Sequence, residues 1–75
     1  MRLPGYCFLV VIERVGGNYS AYSPDLPGCV ATGATPKETK QRMAEAVALH
    51  IQGLREDGLT VPEPSASADY VSVSF

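Results

Sequence analysis

One strand-forming segment, residues 6–14, constrains the fold most because it is apolar on both of its sides. Side chains along a β-strand alternate between two faces. One face carries Tyr6, Phe8, Val10 and Ile12, and the other carries Cys7, Leu9 and Val11. A strand with two apolar faces is typical of the centre of a sheet that is covered on both sides. We therefore predict that this segment is a central strand.

Turn residues divide the first half of the chain into three strands. The glycine pair at residues 16–17 predicts a hairpin turn. Residues 19–23 then form a second strand, and residues 29–32 form a third. Between them, residues 25–28 read Asp-Leu-Pro-Gly and fit a type II turn. In that turn the proline already has the required φ and the glycine takes the positive one.

The best-marked boundary is the start of a helix at Pro36. Thr35 is a suitable N-cap, proline is favoured at the first helical position, and Glu38 completes a capping box. We predict a helix from Pro36 to Asp57, ended by Gly58 in the left-handed conformation. At helical spacing, one side collects apolar residues and the single histidine. This side contains Met43, Ala46, Val47, His50, Ile51 and Leu54.

The end of the chain alternates strictly between apolar and polar residues. After an extended connector at residues 61–68, residues 69–75 place Val71, Val73 and Phe75 on one side. This predicts a fourth strand, which a right-handed helical crossover would return parallel to the first. The predicted fold is one α+β domain over residues 1–75, in the order β-β-β-α-β. It has a four-stranded mixed sheet with one long helix on one face.

A single helix cannot cover both faces of this sheet. The uncovered face would carry Cys7, Leu9 and Val11, and soluble monomers rarely leave such a patch in contact with water. We therefore predict that these residues form an oligomer face and that the chain is at least a homodimer, with a tetramer as the alternative.

Composition excludes several classes of function. Six basic against eight acidic side chains give a net charge of −2, which supplies no basic footprint for nucleic acid. Two cysteines and one histidine have no metal-binding spacing, so we expect neither a metal nor another cofactor. No apolar run is long enough to span a membrane, and the first residues lack a secretory signal. A cytoplasmic protein is expected.

Several stretches together resemble the N-terminal domain of the HicB family of antitoxins. They are Tyr-Ser-Ala-Tyr-Ser-Pro-Asp-Leu-Pro-Gly-Cys at residues 19–29, Thr-Gly-Ala-Thr-Pro at 32–36, a helix with Ala46, Leu49, His50 and Leu54, Arg-Glu-Asp-Gly at 55–58 and Val-Pro-Glu-Pro at 61–64. The resemblance covers roughly residues 6–64. It implies a small ribonuclease-H-like domain that binds a HicA-type toxin, a small ribonuclease that cleaves messenger RNA, and blocks its active site by contact.

Many members of that family carry a further C-terminal segment that binds DNA, of the helix-turn-helix or ribbon-helix-helix type. This sequence ends at Phe75 without one. DNA binding and autorepression are therefore not expected here.

Candidate partner-binding residues lie in the Asp25 turn and on the helix. Asp25 and Leu26 could form a recognition loop or serve only the turn, and His50 could contact a partner or fill space inside. Leu49 stands among polar residues on the outer side of the helix.

Two functions other than an antitoxin stay open. One is a standalone oligomeric binding domain without a cognate toxin. The other is a degenerate metal-dependent nuclease, which would need several converging carboxylates, whereas the first strand carries an acid only at Glu13. We therefore expect no enzymatic activity.

Overall fold

The structure is a computed structural model that describes residues 6–75, so the first residues, on which the expected lack of a secretory signal depends, lie outside it. It contains three strands followed by one helix. They are β1 (Val11–Val15), β2 (Asn18–Tyr22), β3 (Val30–Gly33) and α1 (Pro36–Glu56). The strands form an antiparallel sheet in the order β1-β2-β3. The helix packs mainly on β3, less on β2 and least on β1.

The prediction of a four-stranded mixed sheet is wrong. Within residues 6–75 the sheet has three strands, all antiparallel, and β2 rather than the first strand lies at its centre. Residues 69–75 form no strand, and Val71 and Val73 are 86% and 72% exposed. An alternation of apolar and polar residues shows that a segment could lie in a sheet with one face buried. It does not show whether the edge of another strand is available for that segment to pair with. The segment at residues 69–75 is called the tail below.

The first strand is also shorter than predicted. Ladder pairing begins at Val11, which faces Tyr22, so residues 6–10 precede β1 outside any strand. The reason lies in the neighbouring strand. Just beyond Tyr22, Pro24 has no backbone N–H to donate, and the chain turns there instead of continuing the ladder.

Both turns form as predicted. Gly16, between the paired ends of β1 and β2, has a φ of 59°. In the loop after β2, the Leu26 amide donates to the Ser23 carbonyl at 3.1 Å, and the Cys29 amide donates to the Leu26 carbonyl at 3.1 Å. Gly28 has a φ of 82°, which matches the third position of a type II turn.

The helix boundaries follow the local signals. The Glu38 amide donates to Thr35 Oγ1 at 3.1 Å, and the Ala34 amide donates to Glu38 Oε1 at 3.4 Å. At the other end Gly58 has a φ of 71°, and the Leu59 amide donates to the Leu54 carbonyl at 2.8 Å. Both ends thus satisfy backbone groups that an α-helix leaves unpaired.

The fully buried core of the described residues is small. Its apolar members are Ala21, Leu26, Cys29 and Met43. Partly buried side chains surround it, contributed by the segment before β1, by the strands and by the helix: Phe8, Val10, Ile12, Ala31, Ala46 and Val47. So small a core stabilises a chain of this length only weakly, and association with another chain would add to it.

Candidate protein-binding surfaces

The face of the sheet opposite the core carries an apolar row across all three strands. Val11 pairs with Tyr22, and Tyr22 pairs with Val30, so the three side chains share one face. The helix covers the other face, where Ile12, Ala21 and Ala31 contact the core. Tyr22 and Val30 remain 41% and 62% exposed. We call Val11, Tyr22 and Val30 the outer row.

The predicted oligomer face overlaps this outer row through one residue. Val11 belongs to both and is half-buried. Cys7 and Leu9 lie before β1, where Cys7 is exposed and Leu9 is half-buried. Tyr22 and Val30 were missed by the sequence reasoning, although their positions in alternating segments place them on this face once the strand register is known. Self-association through Cys7, Leu9 and Val11 stays a prediction.

The solvent side of α1 presents a single large apolar side chain among polar ones. Leu49 is 69% exposed. With Glu45, Gln52 and Glu56 it forms a stripe at spacings of four, three and four residues, which lie on one face of a helix. Gln52 Nε2 donates to Glu56 Oε1 at 3.0 Å. We call these four residues the helix stripe.

A shallow groove runs beside the helix stripe. It has a volume of about 420 Å³ and is lined by Ala48, Ile51, Gln52, Arg55 and Glu56. An apolar side chain next to a groove and flanked by acidic groups has the chemistry of an interface anchor with a polar rim. The stripe and groove together offer a site for a partner that carries basic groups.

The four predicted partner-binding residues fall on two different elements. Asp25 and Leu26 lie in the loop after β2, whereas Leu49 and His50 lie in α1. Leu26 is only 1% exposed and supports the loop from inside. His50 is half-buried beside the exposed Leu49. A role for these residues in partner binding stays a prediction.

Asp25 holds the connector that follows the helix. Its carboxylate accepts the Ser65 hydroxyl at 2.8 Å, the Ser65 amide at 3.1 Å and the Ala66 amide at 3.1 Å. These hydrogen bonds lower the pKa of the Asp25 carboxyl. The bond from the Ser65 hydroxyl has the largest effect, followed by those from the Ala66 amide and the Ser65 amide, whereas partial burial of the carboxyl raises its pKa. We call this arrangement the Asp25 clamp. No local pattern reveals it, because 40 residues separate Asp25 from Ser65.

Acid is expected to open the Asp25 clamp. Because the pKa of Asp25 is lower in the folded chain than in the unfolded chain, the clamp contributes fully above the unfolded value. Its contribution is lost as the pH falls below the ordinary carboxyl range near 4 and through the lowered folded value. NMR amide-exchange protection of Ser65 and Ala66 should fall over that range. Asp25→Ala should remove this protection at neutral pH.

Asp69→Ala provides the control for the clamp. The Asp69 carboxylate accepts only the amide of the next residue, Tyr70, at 2.7 Å and touches no part of the clamp. This variant should keep the protection of Ser65 and Ala66. Full protection of both amides in Asp25→Ala would contradict the clamp.

Acidic, histidine and cysteine side chains are the groups of the described residues that could hold a metal ion or act as a nucleophile. Within residues 6–75 no group of three or more His, Cys, Asp or Glu side chains converges to hold a metal ion. Burial raises the pKa of the Cys29 thiol, which keeps it protonated, and Cys7 is exposed. Among residues 6–75, no helix combines the length and the hydrophobicity that a membrane span requires.

Comparison with known proteins relates the chain to one family. The protein-family model described as the HicB_like antitoxin of bacterial toxin-antitoxin systems matches residues 8–74 of this chain. An uncharacterised 14.9 kDa protein of Haemophilus phage HP1 is 33% identical over 63 residues, which are 84% of this chain and 47% of the phage protein. The chain therefore spans about half the length of this relative. A UPF0150 protein of Synechocystis sp. is 36% identical over 59 residues, 77% of this chain and 75% of that protein.

A solved structure shares the fold. It is a chain of the HicA3 and HicB3 toxin-antitoxin complex, similar with a TM-score of 0.64 at 27% identity. The similarity covers 79% of this chain and 72% of that chain.

Proposed function

Because this chain belongs to the HicB_like antitoxin family of bacterial toxin-antitoxin systems, we propose that it binds a HicA-type toxin and blocks it by contact. The family match over nearly the whole described chain is the observation that carries this proposal. The similarity to a chain of a toxin-antitoxin complex supports it. Such a toxin cleaves messenger RNA, so the two proteins would meet in the cytoplasm, where we place this chain.

The helix stripe is the surface that we propose for the toxin. A protein that cleaves RNA needs basic groups to hold the phosphates. The helix stripe offers the complement: Leu49 as an exposed apolar anchor, with Glu45 and Glu56 at its sides. Opposite charges at the rim of an interface speed association and favour the correct partner. The apolar anchor, which becomes buried in the complex, supplies most of the binding energy.

A direct binding experiment tests the proposed function. Each HicA-type toxin of the source genome is purified as an RNase-inactive variant for calorimetric titration and as an active enzyme for an RNA-cleavage assay. We expect one toxin to bind and its cleavage activity to fall to background at equimolar antitoxin. If every such toxin fails to bind and keeps its activity, the proposal is wrong and a standalone binding domain becomes the better interpretation.

Leu49→Lys tests the surface. The substitution removes the apolar anchor and places a positive charge opposite the basic partner, so the toxin dissociation constant should rise at least tenfold, in line with the roughly 2 kcal/mol of an interface hot spot. Asn18→Lys adds the same charge to an exposed position of β2, on a different element from the helix stripe, and should bind nearly as the parent does. Equal effects of both variants would indicate general charge repulsion and remove the helix stripe as the site.

We also propose that the chain associates with itself. The outer row supports this proposal, since a sheet face with Tyr22 and Val30 exposed lacks the cover that the helix gives the opposite face. This second interaction is compatible with toxin binding, because the outer row and the helix stripe lie on different elements of the fold. It would also be the main property of a standalone domain without a toxin.

A further inference from the structure

A single copy of this chain exposes more surface than a compact protein of its size. The accessible area is 6141 Å². A compact monomer of 8.0 kDa would expose about 4,500 Å². The radius of gyration is 14.3 Å, against roughly 11 Å for a compact domain of this length. The excess area is about twice the roughly 800 Å² that each partner buries in a standard interface.

The tail contributes strongly to this excess. Tyr70 and Phe75 are fully exposed, and Val71 and Val73 are nearly so. Yet the tail has the alternation of a half-buried strand, with Val71, Val73 and Phe75 on one side and Ser72 and Ser74 on the other. It is therefore a strand-forming segment that pairs with no strand among the described residues 6–75.

On the β1 side of the domain, an unpaired strand edge and an apolar groove lie close together, and we call the two together the β1 site. β1 is an edge strand, so the backbone groups on its outer side have no strand partner within residues 6–75. A groove of about 440 Å³ lies next to the start of β1, between the segment before β1 and the helix, and no residue of β1 itself lines it. Its apolar lining includes Phe8, Val10, Ala44 and Val47. The groove exists because α1 packs toward β3 and leaves β1 only lightly covered.

The Asp25 clamp fixes the connector, a few residues before the tail, near the β1 site. Val11 at the beginning of β1 pairs with Tyr22 at the end of β2, and the Asp25 loop follows directly after β2. The clamp therefore holds Ser65 and Ala66 at the end of the sheet where residues 6–10 lie. Beyond this point the tail does not occupy its own groove, because its apolar side chains are largely exposed and none of its residues lines that groove.

We propose that the tail of one copy adds to the β1 edge of a second copy, with Val71, Val73 and Phe75 in the groove of that copy. The tail of the second copy binds the β1 edge of the first copy in the same way, so a twofold axis relates the two copies. Backbone pairing with an edge strand supplies affinity, and alternate side chains in a groove supply specificity. We assign a second copy of the chain to the β1 site because each copy has both an unpaired tail and a β1 site. The excess accessible area of one copy is also large enough for a stable interface.

The association measurement uses the full chain without toxin, so its result is independent of the proposed antitoxin function. Light scattering and sedimentation are compared for the wild type, for the double variant Val71→Asp/Val73→Asp and for the control Ser72→Asp/Ser74→Asp. We expect the wild type and the control to form at least a dimer, and any further association through the outer row should be the same in all three proteins. The valine variant should have a dimer dissociation constant at least tenfold higher. The helical signal in circular dichroism should be unchanged in all three, since the tail contributes nothing to the buried core on which α1 packs.

A second measurement identifies the chain that supplies the tail. Isotope-filtered NMR on a mixture of labelled and unlabelled wild type should show contacts between Val73 of one copy and Val47 of the other. Three results would each overturn the proposal: a wild-type monomer at millimolar concentration, a dimer that the valine variant leaves equally tight, or a tail that becomes ordered only when a toxin is added.

Discussion

Replacing Gly33 with alanine is expected to destabilise the domain by about 1–3 kcal/mol, the range found for overpacked interiors. A Cβ atom at Gly33 would stand 2.6 Å from Thr39 Oγ1 and 2.8 Å from the Thr39 backbone nitrogen. Thr39 cannot move aside easily, because it is fully buried and its hydroxyl donates to the Thr35 carbonyl at 2.7 Å. The first turns of α1 must therefore shift away from β3.

This loss would be a large fraction of the total stability, which for a domain of this length is roughly 4–11 kcal/mol. Urea unfolding followed by circular dichroism measures it. Gly53→Ala is the matched control, because nothing lies within 4 Å of a Cβ atom at this helical position. It should stabilise the helix by about 0.5–1 kcal/mol, since alanine is the better helix former. A Gly33→Ala variant as stable as wild type would refute the close packing of α1 against the end of β3.

Leu26→Ala is expected to cost about 2–5 kcal/mol, the usual range for a leucine removed from a core. Leu26 is one of the few fully buried side chains and lies in the loop that carries the Asp25 carboxylate. The variant should therefore also reduce the amide protection of Ser65 and Ala66. Urea unfolding gives the energy, and NMR amide exchange gives the effect on the clamp.

Leu49→Ala makes the same chemical change on the surface. Because Leu49 is 69% exposed, this variant should unfold within about 0.5 kcal/mol of the wild type. The proposed function expects Leu49→Ala to weaken toxin binding, so the pair of leucine variants separates folding from recognition. Similar stability losses in both variants would show that the assignment of Leu26 to the core and Leu49 to the surface is wrong.

Family membership and the proposed surfaces depend on different kinds of information. The motif from residues 19–29 and the spacing after it indicate the family directly, and the family match agrees. The surfaces needed the strand register. The outer row exists only because Val11, Tyr22 and Val30 pair across three strands, and residues distant in sequence carry no sign of that pairing.

What the sequence determined by itself is the local structure. The helix boundaries depend on groups within a few residues, such as Thr35 with Glu38 and Leu54 with Leu59. The type II turn depends on the allowed backbone angles of Pro27 and Gly28. Short-range hydrogen bonds and φ preferences are sufficient for each of these elements, and all of them form as predicted.

Only the tertiary structure decided the number of strands, the central strand and the position of the connector. The tail has the pattern of a strand, but pairing requires the edge of another strand, and within residues 6–75 the tail pairs with none. The Asp25 clamp likewise joins residues 40 positions apart. Such contacts depend on how the whole chain packs and on the entropy lost when distant segments meet, and a local pattern contains neither quantity.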